Sequence, residues 1–173
     1  MISLPPVVSA RTRLLILGSF PGAASLRAGQ YYAHPRNQFW PILSSLFGED
    51  LTSLTYAHRL ERMLDRGVGL WDVYASCERK GSLDADIRAA VPNDLTPLAG
   101  LAPALCAVGH NGAESFRHAD RCAVLGVPTH RLPSTSPAHA SWSMERKRAA
   151  WGEVFRVAGI IDVLPAVPAP PAD

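Results

Sequence analysis

The sequence predicts an α/β fold: a three-layer α/β/α sandwich with a short central parallel sheet of about four strands. Two observations support this prediction. Segments with strand patterns alternate with segments of helical periodicity along a single chain of 173 residues, which is typical of a parallel sheet covered by helices on both faces. The first strand segment is also an almost continuous apolar run, as expected for a strand buried on both faces.

The predicted strands are short apolar segments, each followed by polar or glycine-rich sequence. They cover residues 13–18, 68–74, 104–109 and 127–132. Ligands of such folds bind beyond the carboxyl ends of the strands. We therefore expect the functional site after Gly18, around Asp72, after Gly109 and after Leu132.

Helical periodicity follows the first strand over residues 38–47 and again over residues 56–66, where Gly67 is placed to end the helix. The last helix is predicted to start near Ser141. Its apolar residues recur at helical spacing on one face, and they are Trp151, Val154, Phe155 and Ala158.

Two more helices are predicted from their capping residues. Ser82 is a candidate N-cap for a helix that carries Asp84 and Asp86 in its first turn, where the helix dipole favours acidic residues. Asp94 is a candidate cap for the helix that follows.

Composition indicates one globular domain, which we predict over residues 1–162. Hydrophobic residues make up 47% and charged residues 18% of the chain, which argues against disorder. The proline-rich tail over residues 163–173 is predicted to be disordered. The first 13 residues lack a signal-peptide core and no apolar run approaches about 20 residues, so we expect a cytoplasmic protein.

Charge and cysteine usage exclude several classes of site. A formal net charge of +2 is too small to indicate nucleic-acid binding by itself, although it allows a local basic patch. The three cysteines are widely spaced and odd in number, which fits neither a disulfide framework nor a zinc site. We expect neither a metal nor another cofactor. The histidines outside the motifs also lack metal-ligand spacing: His58, His110, His118 and His130.

The chemistry-bearing sequence lies directly after the first strand, as GSFPG (18–22) and then QYYAHPRNQFW (30–40). Glycines at such a turn let backbone amides approach a ligand closely. The tyrosines offer a flat stacking surface, and Asn37 carries both an acceptor and two donors. By itself GSFPG is most often only a turn, and it matches neither G-x-S-x-G nor G-x-G-x-x-G. We expect Phe39 and Trp40 in the core and Tyr32 in the site.

Together these segments resemble the uracil-DNA glycosylase superfamily. Its first motif reads GQDPYH in the uracil enzymes and GINPG in the mismatch-specific enzymes, and the latter continue with FAHPANRFW. LPSTS (132–136) matches the second motif, HPSPLS or NPSGLS, after the last strand. The pattern is most similar to the hypoxanthine-DNA (deoxyinosine) glycosylase branch, over about residues 14–157.

The resemblance implies a monofunctional DNA glycosylase that hydrolyses the N-glycosidic bond of a flipped-out deaminated base, with hypoxanthine preferred, in base-excision repair. Its partner would be double-stranded or single-stranded DNA containing a deaminated base, and the enzyme would be a monomer. Phe20 replaces the Asp or Asn that positions water in the uracil and mismatch enzymes. Leu132 replaces the His or Asn that stabilises the departing base. Both departures indicate a changed pocket.

Three other functions stay open. The chain could act on uracil or on several deaminated bases, including xanthine. It could be a DNA-damage binding protein that hydrolyses slowly. A small-molecule α/β hydrolase or nucleoside-binding protein could use the same strand ends.

Residue roles follow from the resemblance. Asn37 would be catalytic, by orienting the water or holding the base. Base-binding residues would be Gly18, Ser19, Phe20, Tyr32 and Asp72. DNA-binding residues would be His34, Arg36, Ser134, Thr135, Ser136 and His139.

Several of these residues also have structural interpretations. Asp72, read as an ionised acceptor for the N1–H of hypoxanthine, could instead cap a turn or a helix. His34 could hold its loop by bonding a backbone carbonyl. Arg131 and residues 146–148 could add positive charge, but residues 146–148 also fit the solvated face of the last helix.

Overall fold

The computed structural model of the protein describes residues 1–162, so the predicted tail over residues 163–173 lies outside the described residues. Its strands are β1 (Leu14–Gly18), β2 (Val68–Asp72), β3 (Tyr74–Glu78), β4 (Arg88–Pro92), β5 (Ala107–Asn111) and β6 (Thr129–Leu132). Four of them form one sheet in the order β2-β1-β5-β6, and every pair is parallel. The predicted four-stranded parallel sheet is confirmed.

The helices cover both faces of this sheet. They are α1 (Ala23–Ala28), α2 (Phe39–Phe47), α3 (Tyr56–Asp65), α4 (Leu98–Leu101), α5 (Ala113–Phe116) and α6 (Met144–Val157). Along β1, Leu14 and Ile16 point into one core cluster with α2 and α6. Leu15 and Leu17 point into a second cluster that includes Leu98. Because side chains alternate across a strand, this division confirms the three-layer architecture.

The long helices lie where their periodicity predicts them. Helices α2 and α3 match the predicted ranges to within one residue. Helix α6 begins after Ser143, whose hydroxyl accepts a hydrogen bond from the Arg146 amide at 3.2 Å. All four apolar residues predicted on one face of this helix are buried.

The segment after β2 differs from the prediction. The predicted strand over residues 68–74 ends at Asp72, and Tyr74 starts β3, which pairs antiparallel with β4. The predicted helix after Ser82 is wrong, because only a 3₁₀ turn forms, over Asp84–Asp86. The Ser82 hydroxyl instead accepts from the Ala23 amide at 3.0 Å, so it serves a neighbouring segment.

The third strand is displaced from its predicted range of 104–109. It runs from Ala107 to Asn111, and Gly109, taken as its end, lies at its centre. A Cβ atom at Gly109 would meet Leu132 Cδ1 at 2.8 Å and Ile16 Cδ1 at 3.0 Å. This glycine therefore permits close side-chain packing inside the sheet.

Two polar residues of the predicted helices have other roles. Asp94 accepts from the Thr96 amide and hydroxyl, in the turn before α4. Lys147 is only 1% exposed, so the placement of residues 146–148 together on a solvated face is wrong. Its Nζ donates to Gln38 Oε1 at 2.8 Å and to the His139 carbonyl at 2.7 Å, which ties α6 to two other segments.

Over residues 1–162, no helix is long and apolar enough to cross a membrane. The same residues contain no group of three or more His, Cys, Asp or Glu side chains that could hold a metal ion.

Candidate active site

A cavity of about 840 Å³ opens at the carboxyl ends of the parallel strands. It lies between the β1–α1 loop, the segment before α2, the end of β2 and the loop after β6. All twelve residues predicted from the sequence line this one cavity: Gly18, Ser19, Phe20, Tyr32, His34, Arg36, Asn37, Asp72, Ser134, Thr135, Ser136 and His139. Asn37 and Asp72, separated by 35 positions in sequence, therefore share a pocket.

Gly18 and Asp72 are neighbours at the ends of β1 and β2. The two residues pair in the register of the sheet, and a Cβ atom at Gly18 would lie 2.5 Å from Asp72 Oδ1. The same added Cβ atom would lie 3.6 Å from the Tyr32 hydroxyl oxygen. Gly18 therefore leaves room for the carboxylate in the cavity.

Gly18→Ala is expected to lower the free energy of unfolding by about 1–3 kcal/mol, as overpacking does in a well-packed site. Gly18 has no positive φ, so the cost is steric. The control is Gly100→Ala in α4, where an added Cβ meets nothing within 4 Å. Urea unfolding of both variants is the measurement, and equal stability of the two would contradict the close approach of Gly18 and Asp72.

Asp72 is a buried carboxylate, 3% exposed. Burial raises its pKa to about 7, against opposing effects from hydrogen bonding to Ser3 and Tyr31 and from the charge of Arg79. The Ser3 hydroxyl donates to Asp72 Oδ2 at 2.9 Å. This carboxylate can therefore change its protonation state near neutral pH, a property common in functional sites.

Tyr32 is held in a strained and well-defined position. It has a positive φ of 56°, which is uncommon for a residue other than glycine. Its ring stacks on Phe39, with the centroids 4.0 Å apart and an angle of 16° between planes. Its hydroxyl accepts from Asn111 Nδ2 at 3.1 Å. A strained backbone conformation of this kind persists only where surrounding contacts hold the residue in place.

Asn37 closes a turn immediately before α2, whose N-cap is Gln38. Its Oδ1 accepts from the Phe39 amide at 3.0 Å, and its own amide donates to the His34 carbonyl at 2.9 Å. Because the oxygen is engaged with the backbone, the Nδ2 group is the part of the side chain available to a ligand. Asn37 therefore offers the cavity a hydrogen-bond donor.

His34 helps to shape the same loop. Its Nδ1 accepts from the Arg36 amide at 3.1 Å, so the alternative in which His34 holds its loop applies through a backbone N–H and not through a carbonyl. The side chain still lines the cavity.

Asn111 is a site residue that the sequence analysis missed. At the end of β5, its Oδ1 accepts from the Thr135 amide at 3.0 Å, and its Nδ2 donates to the Thr135 hydroxyl at 2.9 Å and to Tyr32. It therefore joins the loop after β6 to the stacking tyrosine. The available signal was its position just after Gly109, where the strand-end rule already predicted part of the site.

Residues 82–85, here called the rim loop, also line the cavity and were not predicted to do so. Asp84 Oδ1 accepts from the Ser19 hydroxyl at 2.6 Å and lies 3.9 Å from Arg79 Nη1. The Arg79 side chain is 1% exposed, and its guanidinium lies over the Phe20 ring at 5.3 Å. Burial raises the pKa of Asp84.

The loop after β6 is fixed by backbone and side-chain contacts. Thr135 is fully buried, and its carbonyl accepts from the Gln38 amide at 3.0 Å. Its bonds to Asn111 and Gln38 make it a positioning residue for the loop. Ser134 and Ser136 are partly exposed and each accepts from a backbone amide two residues ahead.

The two departures from the superfamily motifs have different surroundings. Phe20 lines the cavity, 5% exposed, beneath the Arg79 guanidinium. Leu132 is a core residue packed against Gly109. The position of Leu132 is thus used for packing, and Phe20 contributes an apolar surface to the pocket.

Comparisons with known proteins agree with this arrangement. The family model described as the uracil DNA glycosylase superfamily matches residues 5–156. A protein named hypoxanthine DNA glycosylase from Methanosarcina barkeri (strain Fusaro / DSM 804) is 40% identical over 152 residues, which is 88% of this chain and 96% of the relative. A protein of the same name from Methanosarcina acetivorans is 35% identical over the same shares.

A solved structure is also similar. It is a solution NMR structure from Methanosarcina acetivorans, named as a candidate uracil DNA glycosylase, with a TM-score of 0.82 and 34% sequence identity. The match covers 92% of this chain and 99% of that one. This chain belongs to the uracil DNA glycosylase superfamily.

Proposed function

We propose that this protein is a monofunctional DNA glycosylase that releases hypoxanthine from DNA in base-excision repair. The observation that carries the proposal is the convergence of Asn37, Asp72 and Tyr32 on one cavity at the strand ends. The names of the two Methanosarcina relatives support the choice of hypoxanthine. The proposed enzyme is a monomer with a single domain over residues 1–162, acting in the cytoplasm without a cofactor.

The cavity suits a flipped-out nucleotide. Pockets for small ligands usually enclose about 300–1,000 Å³, and about 840 Å³ is available here. Extrusion of a nucleotide from a duplex costs a few kcal/mol and is easiest for a mispaired base. Hypoxanthine opposite thymine is such a mispair, so the pocket would receive it more readily than a normal base.

Asp72 is proposed to read the edge of the base. In its ionised form the carboxylate accepts the N1–H of hypoxanthine, whereas adenine has no hydrogen at N1. Backbone amides near Ser19 and Phe20 would donate hydrogen bonds to the acceptors on the other edge of the base. Tyr32 would stack on the ring of the base. Stacking of this kind is worth about 1–3 kcal/mol per base.

Asn37 is proposed to stabilise the departing base. As the bond between C1′ and the base breaks, the sugar becomes oxocarbenium-like and negative charge develops on the base. Water adds to C1′ and loses a proton, and the base leaves with the bonding electron pair and takes up a proton. A donor aimed at developing charge accelerates such steps most strongly, and Asn37 Nδ2 is the available donor because Oδ1 accepts from the Phe39 amide.

The lysines do not support a lyase step, which would need an amine to form a Schiff base. The chain has two, Lys80 and Lys147, and neither is among the cavity-lining residues. Lys147 is buried in its bonds to Gln38 and His139. Simple hydrolysis is therefore the proposed reaction.

DNA contacts outside the pocket would come from residues on its margin. Arg36 is exposed there, beside His34, Ser134, Ser136 and His139. Such contacts to phosphates set affinity and salt dependence, not base choice.

Single-turnover cleavage of labelled duplexes that carry one hypoxanthine, uracil, xanthine or adenine tests the proposal. We expect hypoxanthine to be released fastest and adenine not at all. Release of uracil alone would instead identify a uracil enzyme. Tight binding to hypoxanthine DNA without release would identify a damage-binding protein, and absence of salt-sensitive DNA binding would favour a small-molecule enzyme.

A further inference from the structure

The two oxygens of the Asp72 carboxylate have different surroundings. Oδ2 accepts a hydrogen bond from the Ser3 hydroxyl at 2.9 Å. Oδ1 lies on the side of Gly18, where an added Cβ atom would be only 2.5 Å from it, at the strand end that opens into the cavity. One oxygen is therefore held by a donor, and the other lies beside the glycine that leaves room at the strand end.

Ser3 belongs to residues 1–8, here called the N-terminal strap, which run beside β2 and β3. The Ser3 amide donates to the Ala75 carbonyl at 2.8 Å. Val7 and Leu70 form an antiparallel bridge in which each amide donates to the carbonyl of the other residue, at 2.8 and 2.9 Å. Because backbone bonds to both strands fix the strap, the Ser3 hydroxyl is presented in a defined position.

Tyr31 attaches the strap to a second wall of the cavity. Its hydroxyl lies 3.2 Å from the Leu4 carbonyl oxygen and 3.1 Å from that of Pro5. Its own carbonyl accepts from Trp40 Nε1 at 3.2 Å, so its position is set by α2. The strap is therefore joined to the segment that also carries Tyr32.

We propose that Ser3 is a positioning residue that holds Asp72 Oδ2, so that the ionised carboxylate presents Oδ1 to the base. This inference rests on the proposed glycosylase function, in which Asp72 reads the edge of hypoxanthine. Rotation of the buried carboxylate would break the bond to Ser3 and leave a charged acceptor unsatisfied, which is costly. Ser3 does not touch the base and acts through Asp72 alone.

A neutral donor suits this role, because the carboxylate has to stay ionised without being neutralised by an ion pair. The titratable and charged groups that face Asp72 are Tyr31, Tyr32, Arg79 and Asp84. The Arg79 guanidinium donates to the Pro21 carbonyl and lies 3.9 Å from Asp84, and it affects Asp72 through its charge. Burial raises the pKa of Asp72, and the bond from Ser3 is the largest effect that lowers it.

The test compares single-turnover release of hypoxanthine by Ser3→Ala and wild type from pH 5.5 to pH 9. The rise in rate through about pH 7 is expected to move upward by roughly one pH unit, a typical effect of one hydrogen bond to a charged group. Release at pH 6 should then be about tenfold slower, and release at pH 9 should differ by less than about threefold.

Two further variants serve as controls in the same assay. Ser3→Thr keeps the hydroxyl and is expected to restore the wild-type profile. Ser9→Ala is the matched control, because the Ser9 hydroxyl accepts from the Arg11 amide at 3.3 Å in the turn that follows the strap. Its profile should be that of wild type.

A double-mutant cycle shows whether Ser3 acts through Asp72. In the Asp72→Asn background, Ser3→Ala is expected to change release by less than about twofold at any pH. A loss of the same size at every pH, or a tenfold loss that persists in this background, would show that Ser3 only supports the fold and would overturn the inference.

A second readout does not depend on turnover. Carboxyl ¹³C NMR titration of Asp72 should give a higher midpoint in Ser3→Ala than in wild type, and an unchanged midpoint in Ser3→Thr and Ser9→Ala. The wild-type midpoint in Ser3→Ala would overturn the inference. If wild type releases no hypoxanthine, the proposed function fails, and the titration alone then decides whether Ser3 holds Asp72.

Discussion

Replacing Asn37 with alanine is expected to slow single-turnover release of hypoxanthine by roughly 10²–10³-fold, the usual effect of removing one donor aimed at developing charge. The Nδ2 group of Asn37 would lose its contact with the departing base. The variant also loses the hydrogen bond from the Phe39 amide to Oδ1 in the turn before α2. Loss of one such hydrogen bond costs about 1 kcal/mol of stability, so activity and stability must be measured together.

Asn37→Asp separates the two effects. Aspartate keeps an oxygen to accept from the Phe39 amide, and its negative charge is favourable near the N-terminus of α2, but it has no donor. We expect this variant to unfold at the wild-type urea midpoint and to be as slow as Asn37→Ala. A loss of less than about tenfold in both variants would remove Asn37 from the catalytic role.

Replacing Asp72 with asparagine is expected to stabilise the folded protein above neutral pH. The folded-state pKa of Asp72 is raised to about 7 from the ordinary value of 3.8. Between these values the folded state binds more protons than the unfolded state, so wild-type stability falls as pH rises through this window. The penalty is absent below about pH 4 and complete above about pH 7. At 1.36 kcal/mol per pKa unit it amounts to at most about 4 kcal/mol.

Urea unfolding of wild type and Asp72→Asn from pH 4 to pH 8 measures this effect. The stability difference should grow across the range in favour of the variant. Asp65→Asn is the control, because Asp65 is an exposed partner of Arg11 and exposed pairs contribute little. A difference between wild type and Asp72→Asn that does not change with pH would show that Asp72 is already ionised at pH 4.

The same variant has an expected effect on activity. If ionised Asp72 accepts the N1–H of hypoxanthine, wild-type cleavage at subsaturating enzyme should rise as pH increases through about 7. Asp72→Asn should lose this rise and change its preference among hypoxanthine, uracil and xanthine. Unchanged preference would assign Asp72 to the architecture of the pocket alone.

Much of the fold could be predicted because local patterns and tertiary structure agree in this chain. The apolar run of β1 has to be buried on both faces, and the spacing of Trp151 and Phe155 suits only a helix packed on one side. The family resemblance placed twelve residues at the site, and the strand-end rule for parallel sheets explains why residues so distant in sequence line one cavity.

The wrong predictions at Gly109 and Lys147 share a different cause. Gly109 marks a strand end by local rules, but in the sheet it provides room for Ile16 and Leu132. Lys147 has the charge of a solvated residue, yet two acceptors from distant segments satisfy it in the interior. In both cases the contacts that determine the role of the residue come from residues remote in sequence. The local sequence around the residue therefore cannot predict that role.

By itself, the sequence determined the α/β architecture, the superfamily and the residues that meet at the strand ends, since periodicity and short motifs carry this information locally. Only the tertiary structure decided how those residues are held and charged. Burial beside Gly18 raises the pKa of Asp72, and the bond from the Phe39 amide to the Asn37 oxygen leaves its Nδ2 group as the available donor. Asn111 fixes Tyr32, and Ser19 and Ala23 anchor the rim loop. Each of these depends on distances between atoms that only the folded chain brings together.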